Sequence, residues 1–200
     1  WGKYSGKYRL LINVPISIAS ALAASSVPAL SASHAKEDHR RMQSQINAGT
    51  RLSMLIAIPC AVGLGVLASP IMELLFNDTT DISANMMRFG CIAVVFYSLS
   101  TLSNGILQGI NRLHVPVINA LISLAVHIGI LYFCLYTLDL GIYAVILSTA
   151  AYALLMCVLN QIAIRRYANC TIDPVGVFLK PLVAAGAMGA AIFGIYKLLR

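Results

Sequence analysis

The chain has 200 residues, of which 59% are hydrophobic and only 10% are charged, and its net charge is +7. An ordinary soluble domain carries about 25% charged residues, so 14 Lys and Arg with 7 Asp and Glu cannot cover a soluble surface of this size. The composition excludes a soluble enzyme and indicates an integral membrane protein.

Six apolar stretches follow one another along the chain, at about residues 10–33, 52–72, 89–111, 113–138, 140–164 and 175–196. About 20 helical residues cross a hydrocarbon core of roughly 30 Å. The sixth stretch contains Lys180, which must snorkel to the interface if this segment is to span. We therefore predict an all-α integral membrane protein in which residues 1–200 form a single transmembrane bundle of about six helices.

The chain begins at Trp1 rather than Met, without a signal-peptide pattern, which indicates an internal part of a longer protein. No Cys-x-x-Cys pair, phosphate-binding loop, zinc motif or nucleophile–base set is present. We therefore expect no catalytic residues, no metal, no cofactor and no enzymatic activity. The basic charge lies in connectors between apolar stretches, as membrane topology requires, so it does not indicate nucleic-acid binding.

Connector charge predicts the orientation of the bundle. One side holds eight cations, whereas the two connectors on the other side hold Arg88 alone, with Glu73, Asp78, Asp81 and Asp139. By the positive-inside rule the first side is cytoplasmic. Its cations are Lys36, Arg40, Arg41, Arg51, Arg112, Arg165, Arg166 and Lys180. Trp1 and Arg200 would then lie outside, although the cations near both termini oppose the rule.

The connector at residues 34–51 is the only long one. Asp38 is a helix N-cap candidate, and residues 39–51 contain no proline. We predict a cytoplasmic amphipathic helix that continues into the second span. Such a helix either lies solvated at the lipid headgroups or serves a partner or substrate gate.

Several breaks and close contacts are predicted within the spans. Pro15, Pro28 and Pro59 lie inside apolar stretches, where each removes a backbone hydrogen bond and bends the helix. Gly105 and Gly109 form a GxxxG pattern, which permits close helix packing. These features indicate bending helices rather than a rigid anchor.

Polar side chains form three stripes within the spans. Such groups are costly in hydrocarbon, so they face either neighbouring helices or a wet cavity. In each stripe the spacing of three or four residues places the side chains on one helical face. The stripes are Asn13, Ser17 and Ser20; Tyr97, Thr101, Asn104 and Gln108; and Asn119, Ser123 and His127. For a single residue interhelical hydrogen bonding is the simpler interpretation, whereas three stripes together indicate a water-filled cavity.

His127 is the only titratable side chain deep in a predicted span, and it is either a packing residue or a proton or ligand site. No Asp or Glu lies deep in a span. Ion-driven pumps commonly need such a carboxylate, so any coupling carboxylate would have to lie elsewhere.

Several segments resemble MurJ/SpoVB-type lipid-linked oligosaccharide flippases of the multidrug/oligosaccharidyl-lipid/polysaccharide exporter superfamily. The run at residues 13–34 is similar to the eighth helix of these proteins. Residues 47–54, 58–64 and 70–76 are similar to the ninth. Residues 105–112 followed by 115–119 resemble the turn between the tenth and eleventh helices. The likeness covers almost the whole chain, in order and spacing.

The resemblance implies two six-helix lobes around a V-shaped cavity, of which this chain would supply most of the second lobe. It implies alternating-access movement of undecaprenyl-pyrophosphate-linked sugars, lipid II-like or polysaccharide precursors, across the bacterial cytoplasmic membrane. The implied partners are this lipid-linked substrate, membrane lipids and envelope-synthesis proteins.

The resemblance also implies a cavity-facing arginine near the outer start of the first span. Arg9 is the nearest match, one residue from the family position relative to Pro15, and Lys7 is a second candidate. A guanidinium suits a pyrophosphate because it donates two parallel hydrogen bonds; alternatively both cations mark the aqueous end of the span. The candidate substrate-binding residues are Lys7, Arg9, Asn13, Tyr97, Asn104, Gln108, Asn119 and His127.

Two other functions are compatible with the sequence. One is a drug/cation antiporter of the same superfamily, which the absence of deep carboxylates disfavours. The other is a non-transporting membrane subunit that scaffolds an envelope-synthesis complex, in which the polar stripes would be sealed from water.

Overall fold

The computed structural model describes residues 4–78, 80–137, 141–171 and 175–199, and these residues are almost entirely helical. Six segments are long and apolar enough to cross a membrane, which confirms the predicted fold class. Short π-helical turns at Tyr4–Tyr8 and Val175–Leu179 precede the first and last helices. The helices are α1 (Arg9–Ala35), α2 (His39–Val66), α3 (Ala68–Phe76), α4 (Asp81–Gly109), α5 (His114–Tyr136), α6 (Ile142–Ala168) and α7 (Lys180–Leu199).

The helices extend past several of the predicted span limits. The start of α4 at Asp81 precedes the predicted limit of 89, because charged residues end an apolar run without ending a helix. The predicted limits at Leu138 and Leu140 lie outside the described residues, as do the orientation markers Trp1, Asp139 and Arg200.

The second predicted span is divided between α2 and α3. The Asp38 carboxylate accepts a hydrogen bond from the Arg41 amide at 3.0 Å and caps α2, as predicted. The helix then runs unbroken through residues 39–51 and ends at Val66. Pro70 lacks the amide that would bond the Val66 carbonyl, but it fits in the first turn of a new helix. The chain therefore breaks at Leu67 and restarts as α3.

The start of α2 packs against the rest of the bundle. Met42, Ile46 and Thr50 are buried along one face. The Gln43 amide donates to the Thr171 carbonyl at 2.6 Å and accepts from the Thr171 amide at 3.0 Å. These contacts tie residues 39–51 to the segment after α6. The cytoplasmic position of this connector stays a prediction.

Helix α4 is the centre of the bundle. It packs against α1, α2 and α6, while α5 packs on α6 and α7 packs on α2. Its buried surface includes apolar side chains such as Val94 and Leu107 and small polar ones such as Ser98 and Ser103. Helix α5 also carries exposed apolar side chains that line neither described cavity, such as Ile118 and Ile128. Because α1 and α5 both stand beside this central layer, a cleft lies between them.

The Gly105–Gly109 pair allows α1 and α4 to approach closely. A Cβ atom on Gly105 would lie 2.8 Å from the Ala23 Cβ, and one on Gly109 would lie 2.8 Å from the Leu30 Cβ. Both distances are shorter than van der Waals contact. The GxxxG pattern is therefore a helix-packing feature, and it fixes the separation of α1 from α4 near the cleft.

Candidate functional site

A cavity of about 420 Å³ lies between α1 and α5, with α4 and α6 closing its base. Four predicted site residues meet here although they come from three helices. We call it the Arg9 cavity, and its described lining is Arg9, Ile12, Asn13, Ile16, Tyr97, Leu124, His127, Thr149 and Tyr152. The structure thus places polar residues of α1, α4 and α5 around one space.

A second cavity of about 450 Å³ adjoins the first, because Leu124 and Tyr152 line both. It contains two more predicted site residues, and we call it the Asn104 cavity. Its described lining is Asn104, Gln108, Pro116, Val117, Ala120, Leu121, Leu124, Tyr152 and Met156. We call the two adjoining cavities together the cleft; one of them carries a guanidinium and the other carries neutral amides.

Arg9 supplies the only charge among the described residues that line the cleft. Its side chain is exposed and makes no hydrogen bond or ion pair with another described residue. The described residues that line the two cavities include no carboxylate that could neutralise it. Between the helices of a membrane bundle the dielectric constant is lower than in water, so a cation there attracts anions more strongly than it does in open water. This arrangement can bind an anionic group such as a phosphate.

His127 lies beside this charge and contacts an aromatic pair. Its ring is 6.0 Å from the Tyr152 ring, which is in turn 6.2 Å from the Tyr97 ring. The His127 Nδ1 atom is buried and has no hydrogen-bond partner among the described residues. The imidazole therefore keeps an unused polar atom in the wall of the Arg9 cavity.

Asn119 does not line either cavity. It is buried, and its amide donates to the Asn160 Oδ1 at 2.9 Å. The Asn160 amide donates to the Asn104 Oδ1 at 2.7 Å, so the three side chains link α5, α6 and α4. Ser123, from the same stripe, is also buried and lies 4.0 Å from the Met156 sulfur. On α5, interhelical bonding thus accounts for Asn119 and Ser123, while His127 lines the cleft.

Lys7 also lies outside the cavity lining. Its ammonium forms a 2.6 Å ion pair with Asp78, in the connector between α3 and α4, and lies 5.9 Å from the Phe76 ring centre. Asp78 is buried and also accepts hydrogen bonds from Thr80 and Ser83. The Lys7 ammonium and these hydroxyl and amide donors hold the pKa of Asp78 well below its usual range. Lys7 therefore joins the start of α1 to the α3–α4 connector.

Replacement of Asp78 by asparagine is expected to lower the thermal unfolding temperature at neutral pH, because it removes this ion pair. A depressed pKa contributes stability above the unfolded value of about 3.9, and that stability is lost as pH falls below it. Unfolding in detergent, followed by circular dichroism from pH 7 to pH 3, should show a shallower acid dependence for the variant. Asp81→Asn, at an exposed carboxylate in the first turn of α4, is the matched control. Equal effects of the two substitutions would contradict this role of Asp78.

Sequence reasoning missed the contribution of α6. Thr149 and Tyr152 line the Arg9 cavity, and Asn160 anchors Asn104 and Asn119. Together with Met156 these residues follow spacings of three, four and four. The same helical period that revealed the other stripes was therefore present in α6.

Comparison with known proteins agrees with the membrane fold. The family model described as "Lipid II flippase MurJ" matches residues 8–199. The chain is 25% identical over 119 residues to the lipid II flippase MurJ of Bacillus subtilis, a match that covers 58% of this chain and 22% of that protein. It is 27% identical over 127 residues to the probable lipid II flippase MurJ of Bdellovibrio bacteriovorus, a match that covers 60% and 24% respectively.

No solved structure gives a significant match. The matched part spans about a quarter of the length of these curated relatives. With six helices able to cross a bilayer, this is a multi-pass protein of the bacterial cytoplasmic membrane. Since the family model covers nearly all of the chain, the chain belongs to the MurJ family of lipid II flippases.

Proposed function

We propose that this chain forms part of one lobe of a transporter that moves undecaprenyl-pyrophosphate-linked sugars across the cytoplasmic membrane by alternating access. The observation that carries the proposal is the Arg9 cavity, a polar space inside a membrane bundle whose described lining residues include one cation and no carboxylate. The names of the two curated relatives, both lipid II flippases, support the same substrate class.

The cleft suits a substrate with an anionic group beside a neutral polar group. Arg9 would bind the pyrophosphate, and the amides of Asn104 and Gln108 would face the sugar. The prenyl tail would remain in lipid, next to the exposed apolar side chains of α5. Rocking of the two lobes would then expose the loaded cleft to each side of the membrane in turn.

The two other candidate functions are less well supported. A cation antiporter commonly needs a carboxylate in the membrane, and the known lining of the two cavities, as far as the structure describes it, contains none. A non-transporting scaffold does not require an open polar cleft, nor a guanidinium that has no ion-pair partner among the described residues. A role for partner proteins of envelope synthesis is compatible with transport, and no contact in the bundle argues for a particular one.

Water accessibility gives a direct test of the cleft. In the full-length transporter of which we propose this chain to be part, cysteines that replace Asn104 or Gln108 should react with a membrane-impermeant maleimide, because both positions line a cavity. A cysteine at Ser98, which is fully buried in α4, is the control and should stay unlabelled. Labelling should be compared with that of the unsubstituted protein, because these 200 residues already contain five cysteines.

Transport itself is tested with the same protein in vesicles that contain a fluorescent lipid-linked precursor. Wild-type protein should make the precursor in the inner leaflet accessible from outside, whereas empty vesicles should not. Sealed cleft positions together with absent flipping would reject the transporter and favour the scaffold.

A further inference from the structure

The hydrogen-bond partners of Asn160 determine which end of the Asn104 amide meets the cavity. Asn160 Nδ2 lies 3.4 Å from the Ser100 carbonyl and 2.7 Å from the Asn104 side chain. A backbone carbonyl only accepts hydrogen bonds, so the Asn160 atom at this position must be the donor nitrogen. The Asn104 atom that faces it must in turn be the acceptor oxygen.

The other end of the Asn160 side chain is also hydrogen-bonded. Its Oδ1 accepts from the Asn119 amide at 2.9 Å, so both functional groups of this fully buried side chain are engaged. A flip of Asn160 would place its Oδ1 against the Ser100 carbonyl oxygen, even if Asn119 and Asn104 flipped with it. A buried amide with both ends satisfied is held in a single orientation.

Asn104 is left with an unused donor. Its Oδ1 is taken by Asn160, its Nδ2 makes no hydrogen bond to another described residue, and its side chain lines the Asn104 cavity. The described residues that line this cavity carry no charge. The group that it suits is therefore an uncharged acceptor oxygen, such as a sugar hydroxyl or the carbonyl of an N-acetyl group or peptide.

We propose that Asn160 is a positioning residue that holds the Asn104 amide as a hydrogen-bond donor to the neutral, sugar-bearing part of the substrate headgroup. This inference rests on the proposed function and assigns a different part of the substrate headgroup to each cavity. The Arg9 cavity would bind the anionic part, and the adjoining Asn104 cavity would bind the sugar. Asn160 acts only through Asn104, since it does not line the cleft.

The test compares two probes with the same short prenyl tail in detergent, a bare prenyl pyrophosphate and a prenyl pyrophosphate that bears an N-acetylated aminosugar. In the full-length transporter, Asn160→Leu should weaken binding of the sugar-bearing probe about tenfold, the effect of one lost hydrogen bond in a partly desolvated site. Binding of the bare probe should be unchanged. Equal weakening of both probes, or of neither, would overturn the proposal.

Two further variants separate positioning from a general structural role. Asn104→Ala should show the same selective loss, and Asn160→Leu should add nothing in the Asn104→Ala background, because both remove one contact. Additive losses would overturn the proposal. Gln161→Leu is the matched control, since Gln161 follows Asn160 on α6 and bonds Ser103 of α4 without lining the cleft; it should leave both affinities unchanged.

The proposal can still be tested if Asn160→Leu does not fold. Asn104 lies at the cavity wall and its replacement by alanine leaves Asn160 bonded to Asn119 and Ser100, so this variant alone tests the donor. Full affinity of Asn104→Ala for the sugar-bearing probe would overturn the proposal. Failure of the wild-type protein to bind either probe would instead refute the flippase function, and that result appears before any variant is compared.

Discussion

Replacement of Arg9 by alanine is expected to reduce flipping of a lipid-linked pyrophosphate by about 10- to 100-fold. Of the residues seen to line the cleft in the described part of the chain, Arg9 alone is charged, and no carboxylate is among them. Hydrogen bonds to charged groups contribute about 1.5–3 kcal/mol, and each 1.4 kcal/mol corresponds to about a factor of ten. Arg9→Lys should fall between wild type and alanine, because lysine keeps the charge but loses the bidentate geometry.

The measurement is the initial flipping rate in vesicles at matched protein content, with Arg88→Ala as control. Arg88 is also exposed, but it bonds Ser69 and lies outside both cavities, so its removal should leave the rate unchanged. High salt should reduce the difference in flipping rate between wild type and Arg9→Ala, because counterions screen the attraction between the Arg9 guanidinium and the pyrophosphate. An unchanged rate for Arg9→Ala would remove Arg9 from the site and leave it as a marker of the aqueous end of α1.

Replacement of Gly105 by leucine is expected to destabilise the protein by about 1–3 kcal/mol or more, the usual cost of overpacking. Even a Cβ atom at this position would lie 3.1 Å from the Ala23 backbone carbonyl oxygen, which cannot move aside as a flexible side chain can. Helix α1 must therefore shift away from α4. Since α1 carries Arg9 and Asn13 into the cleft, flipping should fall together with stability.

Thermal unfolding in detergent measures the effect, and another helical glycine provides the control. Gly129 lies in α5 with no atom near enough to contact an added Cβ. Gly129→Leu should leave stability unchanged or slightly raised, because glycine costs about 1 kcal/mol within a helix. Equal destabilisation by the two substitutions would show that helix flexibility, rather than the α1–α4 contact, is what Gly105 provides.

Much of the cleft could be predicted because each polar stripe lies on one helix. The spacings that join Tyr97, Asn104 and Gln108 follow from the 3.6-residue period alone, and the structure places all three along the cleft. The helical period does not show whether a polar face contacts a neighbouring helix or a cavity. Asn119 and His127 share a face of α5, yet one is sealed against Asn160 and the other lines the Arg9 cavity.

The two cations near the start of α1 also show that the sequence does not predict contacts between distant segments. Lys7 and Arg9 carry the same charge and lie two residues apart. The family resemblance and the guanidinium favour Arg9, but the sequence does not show which of the two has an acidic partner. Lys7 pairs with Asp78, 71 residues later in the chain, whereas Arg9 lines the cavity without an acidic partner. A contact between residues so distant in the chain depends on how α1 and the α3–α4 connector come together.

The amino-acid sequence by itself determined the membrane environment and the all-α fold, because the length and apolarity of a helix that crosses lipid are local properties. It also determined the polar faces of three helices, which depend only on a repeat within each helix. The tertiary structure decided which faces enclose a cleft, which cation remains unpaired, and how Asn160 orients Asn104. These features arise from contacts between helices, and no period within a single helix specifies its neighbour.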